Sequence, residues 1–402
     1  MLDVNYKAAL SATCMVLMLS TLHSAIAATW TVERDGSGDF TVIQLAVDIA
    51  ASGDTIRIGP GRFDEKQYVT CPGWSDSVRV LVSQEELTII GSGPETIIGQ
   101  EAPWDLEQGD PKGIVASDWW GNSRIFLENL HFENMGDGIY TSHENPCDVT
   151  IGNCTFYGNR TSAWMHSAGG RAQITECDFN HVQRDGKHIG VWGHTEFVIQ
   201  GCTFRLWDVH QYFQKHIGFN GVQNAIIEDC EFLEGATGVS LYICEQVLFK
   251  NCLFDGQRTI CIIPYDLTNV TVDNCTFKNG TNAIVSEISS NQIVVQNSVI
   301  ENVTDSSFFI SYAGSITVHD CDLAKGDLGV VWVMDINNCS TPMNLDMTNN
   351  YWGTGDPDSI QAWIRDNNDS EDACYIVDYE PYLDESTPVE AKSISDLKSL
   401  FH

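Results

Sequence analysis

Basic residues are scarce in this chain. Its 402 residues carry 21 Lys and Arg against 55 Asp and Glu, a formal net charge of −34. No cluster of Lys and Arg is available to follow a phosphate backbone, which excludes nucleic acid as a partner and speaks against an anionic lipid surface. The same field disfavours a polyanionic glycan unless a cation or a locally basic groove offsets it, and it also serves simply to keep an exported protein soluble. Long apolar runs are missing as well. Beyond the N-terminus nothing approaches the ~20 apolar residues that span a bilayer, so no membrane span is expected. Helical periodicity over the length of an ordinary helix is absent from the middle of the chain, which excludes a helical repeat architecture.

At the N-terminus, Met1 to Ala27 carries one lysine, Lys7, then an apolar stretch from Ala8 to about Leu22 and the small-residue pattern Ala25-Ile26-Ala27. This is the pattern of a secretory signal peptide, and the mature protein is expected to be secreted to the periplasm, cell surface or medium. Fourteen cysteines in an exported chain would ordinarily signal a disulfide framework. Loss of Cys14 with the leader leaves an odd number, so at least one is unpaired. Seven occupy a repeated position in which a free cysteine acts as a small buried hydrophobe. Pairing among Cys71, Cys147, Cys244, Cys261, Cys339 and Cys374 stays open.

The repeat is read from "VTIGNCTFYGN", which returns as "VIQGCTFRLWD", "IIEDCEFLEGA", "VLFKNCLFDGQ" and "VTVDNCTFKNG". Aligned on the residue two before the bulky apolar one, the copies fall at Leu130, Cys154, Cys177, Cys202, Cys230, Cys252, Cys275, Ser298, Cys321 and Asn350, with successive gaps of 24, 23, 25, 28, 22, 23, 23, 23 and 29. A period near 23 marks a solenoid whose units bury their apolar faces against one another. Within a unit the pattern alternates with period two, and a second short strand follows, as in "GIYTS", "SAWMH", "GVSLY" and "NAIVS". The reading is an all-β, single-stranded right-handed parallel β-helix with coils rising about 4.8 Å, in which the cysteines form one internal ladder and the phenylalanines another. The expected division is a leader at 1–27, the β-helix with its N-terminal cap at 28–355, and a C-terminal cap and tail at 356–402. A helix in "DFTVIQLAVDIAASG", with Thr41 as N-cap and Gln44 completing a capping box, protects the first edge. A helix from Pro357 to about Asp366 and the tail beyond protect the other.

"DGSGDFTVIQLAVDIAASGDTIRIGPGRFDE" resembles the opening of pectin methylesterases and of other proteins of the pectin lyase-like superfamily. "LTIIGSGPETIIG" and "NNYWGTGDPDSIQAWI" are similar to segments of exported bacterial right-handed β-helix repeat proteins. The resemblance implies the fold for nearly the whole mature chain. It implies no particular reaction, because that superfamily contains lyases, hydrolases, esterases, epimerases and non-enzymatic binding proteins. The Gln-Asp-Thr-Leu and Asp-Phe-Ile-Phe-Gly segments of the esterases are absent. So are the Asp-Asp pair and Gly-His-Gly of the polygalacturonases, to which only "WGHTEF" comes near, and the Trp-Ile-Asp-His signature of the pectate lyases. No catalytic residue is carried over.

Chemistry is therefore sought where the coils differ. The gaps of 25 and 28 hold "KHIGVWGH" and "KHIGFNGV", which should stack. With Ile189 and Ile217 inward, Gly190 and Gly218 make a shallow outward floor. Lys187 then neighbours Lys215, and His188 neighbours His216; these four are the candidate catalytic residues, since stacked cations depress one another's pKa and a Lys or His could act as a base near neutrality. Tyr140, Trp164, His166, Trp192, Asn220 and Tyr242 are expected to point outward beside them, with His143 and His194 near, as a polysaccharide-binding face. Two readings stay open: a polysaccharide-binding protein that, if an enzyme, is a lyase or glycoside hydrolase, and a non-catalytic surface or adhesion scaffold. A cleft walled by the loops at Arg184 and Trp207 would favour the first, and lysines paired to Asp185 or Asp208 on a flat face the second. No cofactor is expected. His166, His188 and His216 span about 10 Å over three coils, too far for one tetrahedral ion. "DNNDSED" offers oxygen ligands to Ca2+ but lacks the glycine and spacing of a calcium loop, which leaves a solvated acidic loop. Sequons at Asn159 and Asn302 follow from the asparagine turns.

Overall fold

The computed structural model describes residues 27–386 apart from 72–73, 104–108, 110, 207–213, 267, 287–291, 312–314, 324–325, 328, 334–341 and 371–372. The leader, except Ala27, and the tail beyond 386 thus lie outside the described residues. The chain winds into a parallel β-helix. Each coil adds one strand to a 14-stranded sheet running from Thr29–Val32 to Tyr375–Asp378, and further strands to a second, 22-stranded sheet.

Period-two alternation fills the core from the first sheet. Glu196–Gln200 buries Phe197 and Ile199, which pair in register with Ala225 and Ile227 of the next coil. A left-handed residue then turns the chain: Asn153, Glu176, Asp229, Asn251, Asn274, Asn297 and Asp320 all have φ between 50° and 56°. Asparagine and aspartate tolerate that conformation best among residues with a side chain. They also stack, Asn274 donating to Asn251 at 2.7 Å and Asn251 to Asp229 at 3.0 Å.

The repeated cysteine comes next, and all ten aligned positions are buried. The backbone N–H of Cys154 donates to Sγ of Cys177, and that of Cys177 to Sγ of Cys202, each at 3.4 Å. The pattern continues from Cys252 to Cys275 and from Ser298 to Cys321 at 3.4 Å, with Cys275 donating to Ser298 Oγ at 3.1 Å and Cys321 to Asn350 Oδ1 at 2.9 Å. A buried N–H needs an acceptor, and Cys, Ser and Asn each supply one where Val or Leu would not. Two residues on, the rings of Phe132, Phe156, Phe179, Phe204, Phe232, Phe254 and Phe277 stack with centroids 4.6–5.0 Å apart and planes within 9°.

Ten cysteines are free and buried among the described residues, including Cys147, Cys244 and Cys261. Cys374 is disulfide-bonded. The first cap is a helix over Ile43–Ile49 that buries Ile43, Ala46 and Val47. Its N-cap is Val42, with no side-chain bond, so the expected capping box at Thr41 does not form. Gln44 instead accepts from the Leu81 N–H at 2.8 Å and donates to the Leu81 carbonyl at 3.1 Å, covering the exposed edge of a strand. The C-terminal helix, capped by Asp356, ends at Ala362 rather than near Asp366, because Ile364–Arg365 joins the sheet beside Val331 and Trp332. No described helix is long and apolar enough to cross a membrane.

Candidate functional site

Three columns of residues on the second sheet build a groove of about 370 Å³. Strand pairing sets each column. The first runs Lys112, Asp137, Thr161, Lys187, Lys215 and Thr237. The second runs Tyr140, Trp164, Gly190, Gly218 and Ser240, and the third Ser142, His166, Trp192, Asn220, Tyr242 and Tyr265. The expected stacking of "KHIGVWGH" on "KHIGFNGV" is therefore realised residue by residue. Gly190 and Gly218 form the floor, the two lysines one bank, and Trp192, Asn220, Tyr242 and Tyr265 the other.

Trp164 closes one end of the floor. Lys187 Nζ stands 4.8 Å above its ring, a cation–π contact. Tyr140, one coil before Trp164, is covered from its other side, Lys112 of the preceding coil standing 4.7 Å over its ring while pairing with Asp137 at 2.5 Å. At the other end Lys215 donates to Ser240 Oγ at 3.2 Å. Among the described residues neither Lys187 nor Lys215 forms an ion pair, although Arg160 approaches the same Asp137 at 3.7 Å. Three cations, Lys112, Arg160 and Lys187, thus gather around one carboxylate, with Lys215 beyond Lys187, in a chain of net charge −34. Burial holds the Lys187 ammonium below its usual pKa, and the charges of Lys215 and Arg160 lower it further against the pull of Asp137. Burial alone lowers Lys215.

Tyr140, Trp164, His166, Trp192, Asn220 and Tyr242 all reach the surface, wholly or in part, as expected. His166 meets Trp192 edge-on at 6.1 Å. His194 does not belong to the face. It is fully buried, packed edge-on against Phe197, and neither ring nitrogen finds a well-formed hydrogen bond, the backbone of Trp192 giving only a weak polar contact. His143 is buried too.

His188 and His216 also turn inward, which removes them as candidate catalytic residues. Alternation would set them opposite Ile189 and Ile217, but the coil bends at this point and strand pairing skips both residues. Each histidine and the isoleucine after it therefore face the core, and both rings are wholly buried. Sequence reasoning missed Ser240 and Tyr265 on the groove and the Lys112–Asp137–Arg160 cluster beside it. Tyr265 was legible in principle, since it follows Tyr242 by one period of 23.

The loop at Trp207 and Asp208, and the side chains of Arg184 and Asp185, lie outside what is described. No group of three or more His, Cys, Asp or Glu suited to a metal occurs among the described residues. In "DNNDSED", Asp366 is buried and accepts from the N–H groups of Asn368 and Val377, so its carboxylate is occupied in shaping the loop. The Asn159 sequon is buried as well, its amide bonded to Met135 N–H and the Phe132 carbonyl.

A family model described as "Right handed beta helix region" matches residues 114–257, 169–323 and 215–362. A curated relative, metabotropic glutamate receptor-like protein P of Dictyostelium discoideum, is 20% identical over 237 residues; the match takes in 57% of this chain and 15% of that protein's length. Three solved structures are similar in winding. The tailspike protein gp49 of Acinetobacter baumannii bacteriophage Fri1, a capsular polysaccharide depolymerase, is 13% identical with a TM-score of 0.40, covering 74% of this chain and 58% of its own. The periplasmic alginate epimerase AlgG is 11% identical with a TM-score of 0.46 and 79% of each chain covered. A mannuronic acid specific polysaccharide family 6 lyase from human gut microbiota is 11% identical with a TM-score of 0.37, covering 92% of this chain and 94% of its own.

Proposed function

The chain belongs to the right-handed beta helix family, whose model spans residues 114 to 362 in overlapping matches, and on that scaffold we propose that it is an exported protein that binds an acidic polysaccharide in the groove above Gly190 and Gly218. One observation carries the reading: in a strongly acidic chain, Lys187 and Lys215 stand side by side in a groove without an ion-pair partner among the described residues, between aromatic side chains. Concentrating positive charge there, against the field of the whole molecule, is useful for a ligand that brings its own carboxylates. Trp164, Trp192, Tyr242 and Tyr265 offer faces for sugar rings, and Asn220 and Ser240 offer hydrogen bonds to hydroxyls.

The same lysines support one reaction class, β-elimination at a uronate. One ammonium would neutralise the sugar carboxylate while the other lysine, deprotonated, takes the proton on the adjacent carbon. The C4–O bond then breaks, a C4=C5 double bond forms, and the leaving oxygen is protonated by water. The test is an array of acidic and neutral glycans probed with the protein and with a Lys187→Met, Lys215→Met double variant, followed on each hit by ultraviolet absorbance of the unsaturated uronate. Binding to acidic glycans that the double variant loses supports the site, and rising absorbance supports the lyase. Silence on every acidic glycan overturns the reading and favours a non-catalytic scaffold.

A further inference from the structure

The two coils that carry the lysines differ inside as well as outside. At the inner corner that follows the lysine column, neighbouring coils place small residues: Gly138 and Ser162 before, Gly238, Cys261 and Ala283 after. The corner is tight. A Cβ on Gly138 would lie 2.6 Å from the Ser162 carbonyl oxygen, and one on Gly238 2.4 Å from that of Cys261 and 3.1 Å from the Phe254 ring. His188 and His216 occupy this corner in the lysine coils, their ring centroids 5.8–6.1 Å from those of Phe179, Phe204 and Phe232.

Extra residues precede this corner in the two coils. Asn159 to Thr161 spans two positions where the paired Val182 to Lys187 spans five. Asn180 to Lys187 spans seven where Arg205 to Lys215 spans ten, and Leu206 to Lys215 spans nine where Glu234 to Thr237 falls back to three. The coils on either side are shorter, Tyr157 to Thr161 and Leu233 to Thr237 each spanning four; a longer insertion, Gly99 to Lys112, lies three coils before Lys187.

Geometry also fixes the protons. His216 Nε2 lies 3.0 Å from the Glu234 carbonyl oxygen, which can only accept, so Nε2 carries hydrogen. His216 Nδ1 of the neutral ring is then an acceptor, and His188 Nδ1, 3.2 Å away, is the donor. Around the pair, among the described residues, stand Phe179, Phe204, Phe232 and the backbone of Glu234 and Gly235, and burial there opposes a further proton on His216. A second proton on His216 would go to Nδ1 and set two N–H groups against each other in an apolar corner.

We propose that the His188–His216 pair positions the groove: bonded in this one tautomeric arrangement, it locks the two widened coils together and holds Lys187 beside Lys215 over the glycine floor. This rests on the acidic-glycan reading for its purpose, and its test separates the two. In the protein at neutral pH, 15N imidazole shifts should report His188 protonated on Nδ1 and His216 on Nε2; any other tautomers overturn the proposal without a variant. The 13C signals of reductively methylated Lys187 and Lys215 should move in His216→Phe. Oligogalacturonate affinity should fall roughly fivefold to tenfold, the effect of about one lost hydrogen bond. His188→Asn, which keeps the donor, should retain both signals and affinity. Unmoved lysine signals in a folded His216→Phe variant would overturn the positioning role. Failure of the unaltered protein to bind oligogalacturonate or any other acidic glycan would sink the ligand reading alone, and the lysine signals would still decide the positioning role.

Discussion

The indole of Trp164 lies over Gly190 so closely that a Cβ at position 190 would fall 2.7 Å from its Cε3, whereas a Cβ at Gly218, one coil on, would meet nothing nearer than Lys215 Cδ at 3.5 Å. Two glycines in the same floor thus make opposite demands. Gly190→Ala should displace Trp164 and the Lys187 ammonium above it, weakening glycan binding roughly tenfold, about 1.4 kcal/mol. Gly218→Ala should leave affinity within a factor of two or so of the unaltered protein, since 3.5 Å is ordinary contact. Calorimetric titration of the two variants with one acidic oligosaccharide distinguishes them, and equal losses would count against the indole as a wall of the site.

Removing charge should act through the bank of the groove. Lys187→Met and Lys215→Met each lower affinity for an acidic glycan, and the loss shrinks as salt rises, because exposed charges are screened beyond ~8 Å at physiological ionic strength. Affinity measured across a salt series gives the check, with a neutral oligosaccharide as the control that should show no slope.

Acid should destabilise the fold before most carboxylates titrate. Burial pushes His143, His194 and His216 each down to about 4. Unfolded, a histidine titrates near 6.5. As pH falls from ~6.5 towards ~4 the unfolded chain takes up protons that the native chain refuses, so stability declines over that window, at up to about 1.4 kcal/mol per pH unit for each histidine. Above neutrality these groups contribute no slope. Urea midpoints taken across pH should fall on the acid side, and His194→Leu should flatten the decline by one histidine's share.

The cysteine ladder predicts an order of tolerance at Cys177. Serine keeps an acceptor for the Cys154 N–H, as Ser298 does for Cys275. Cys177→Ser should therefore unfold nearer to the unaltered protein than Cys177→Ala, which strands a buried donor at a cost of roughly 1–3 kcal/mol. Burial also pushes the Cys147 and Cys321 thiols up to about 12, so these cysteines should react with a thiol reagent only once the chain unfolds.

The winding was legible because a single spacing recurs, and once it is recognised the register of every column follows from counting. Lys187 beside Lys215, Gly190 beside Gly218 and Trp192 beside Asn220 were all reachable in this way. What counting could not give was the direction of side chains at a bend. Alternation holds only along a straight strand, and the corner at His188 and His216 turns two successive residues inward. Gln44 misled for a related reason: a threonine followed by a glutamine suits a capping box, but an unpaired strand edge at Leu81 offered the glutamine two bonds instead. Ser240 carried no signal, being an ordinary small residue until a lysine reaches it.

The thiol ladder is one-directional: from Cys154 to Cys202 and again from Cys252 onward, a repeat residue offers its N–H to the next, until Asn350 receives from Cys321 and turns its own amide to the Val318 and Met347 carbonyls. A coil cut out whole, between one repeat residue and the next, would leave a donor facing an acceptor of the same kind across the splice. The solenoid is in that sense a molecule whose length is an editable quantity, while the two widened coils around His188 and His216 are the segment that no such splice could pass through without altering the groove.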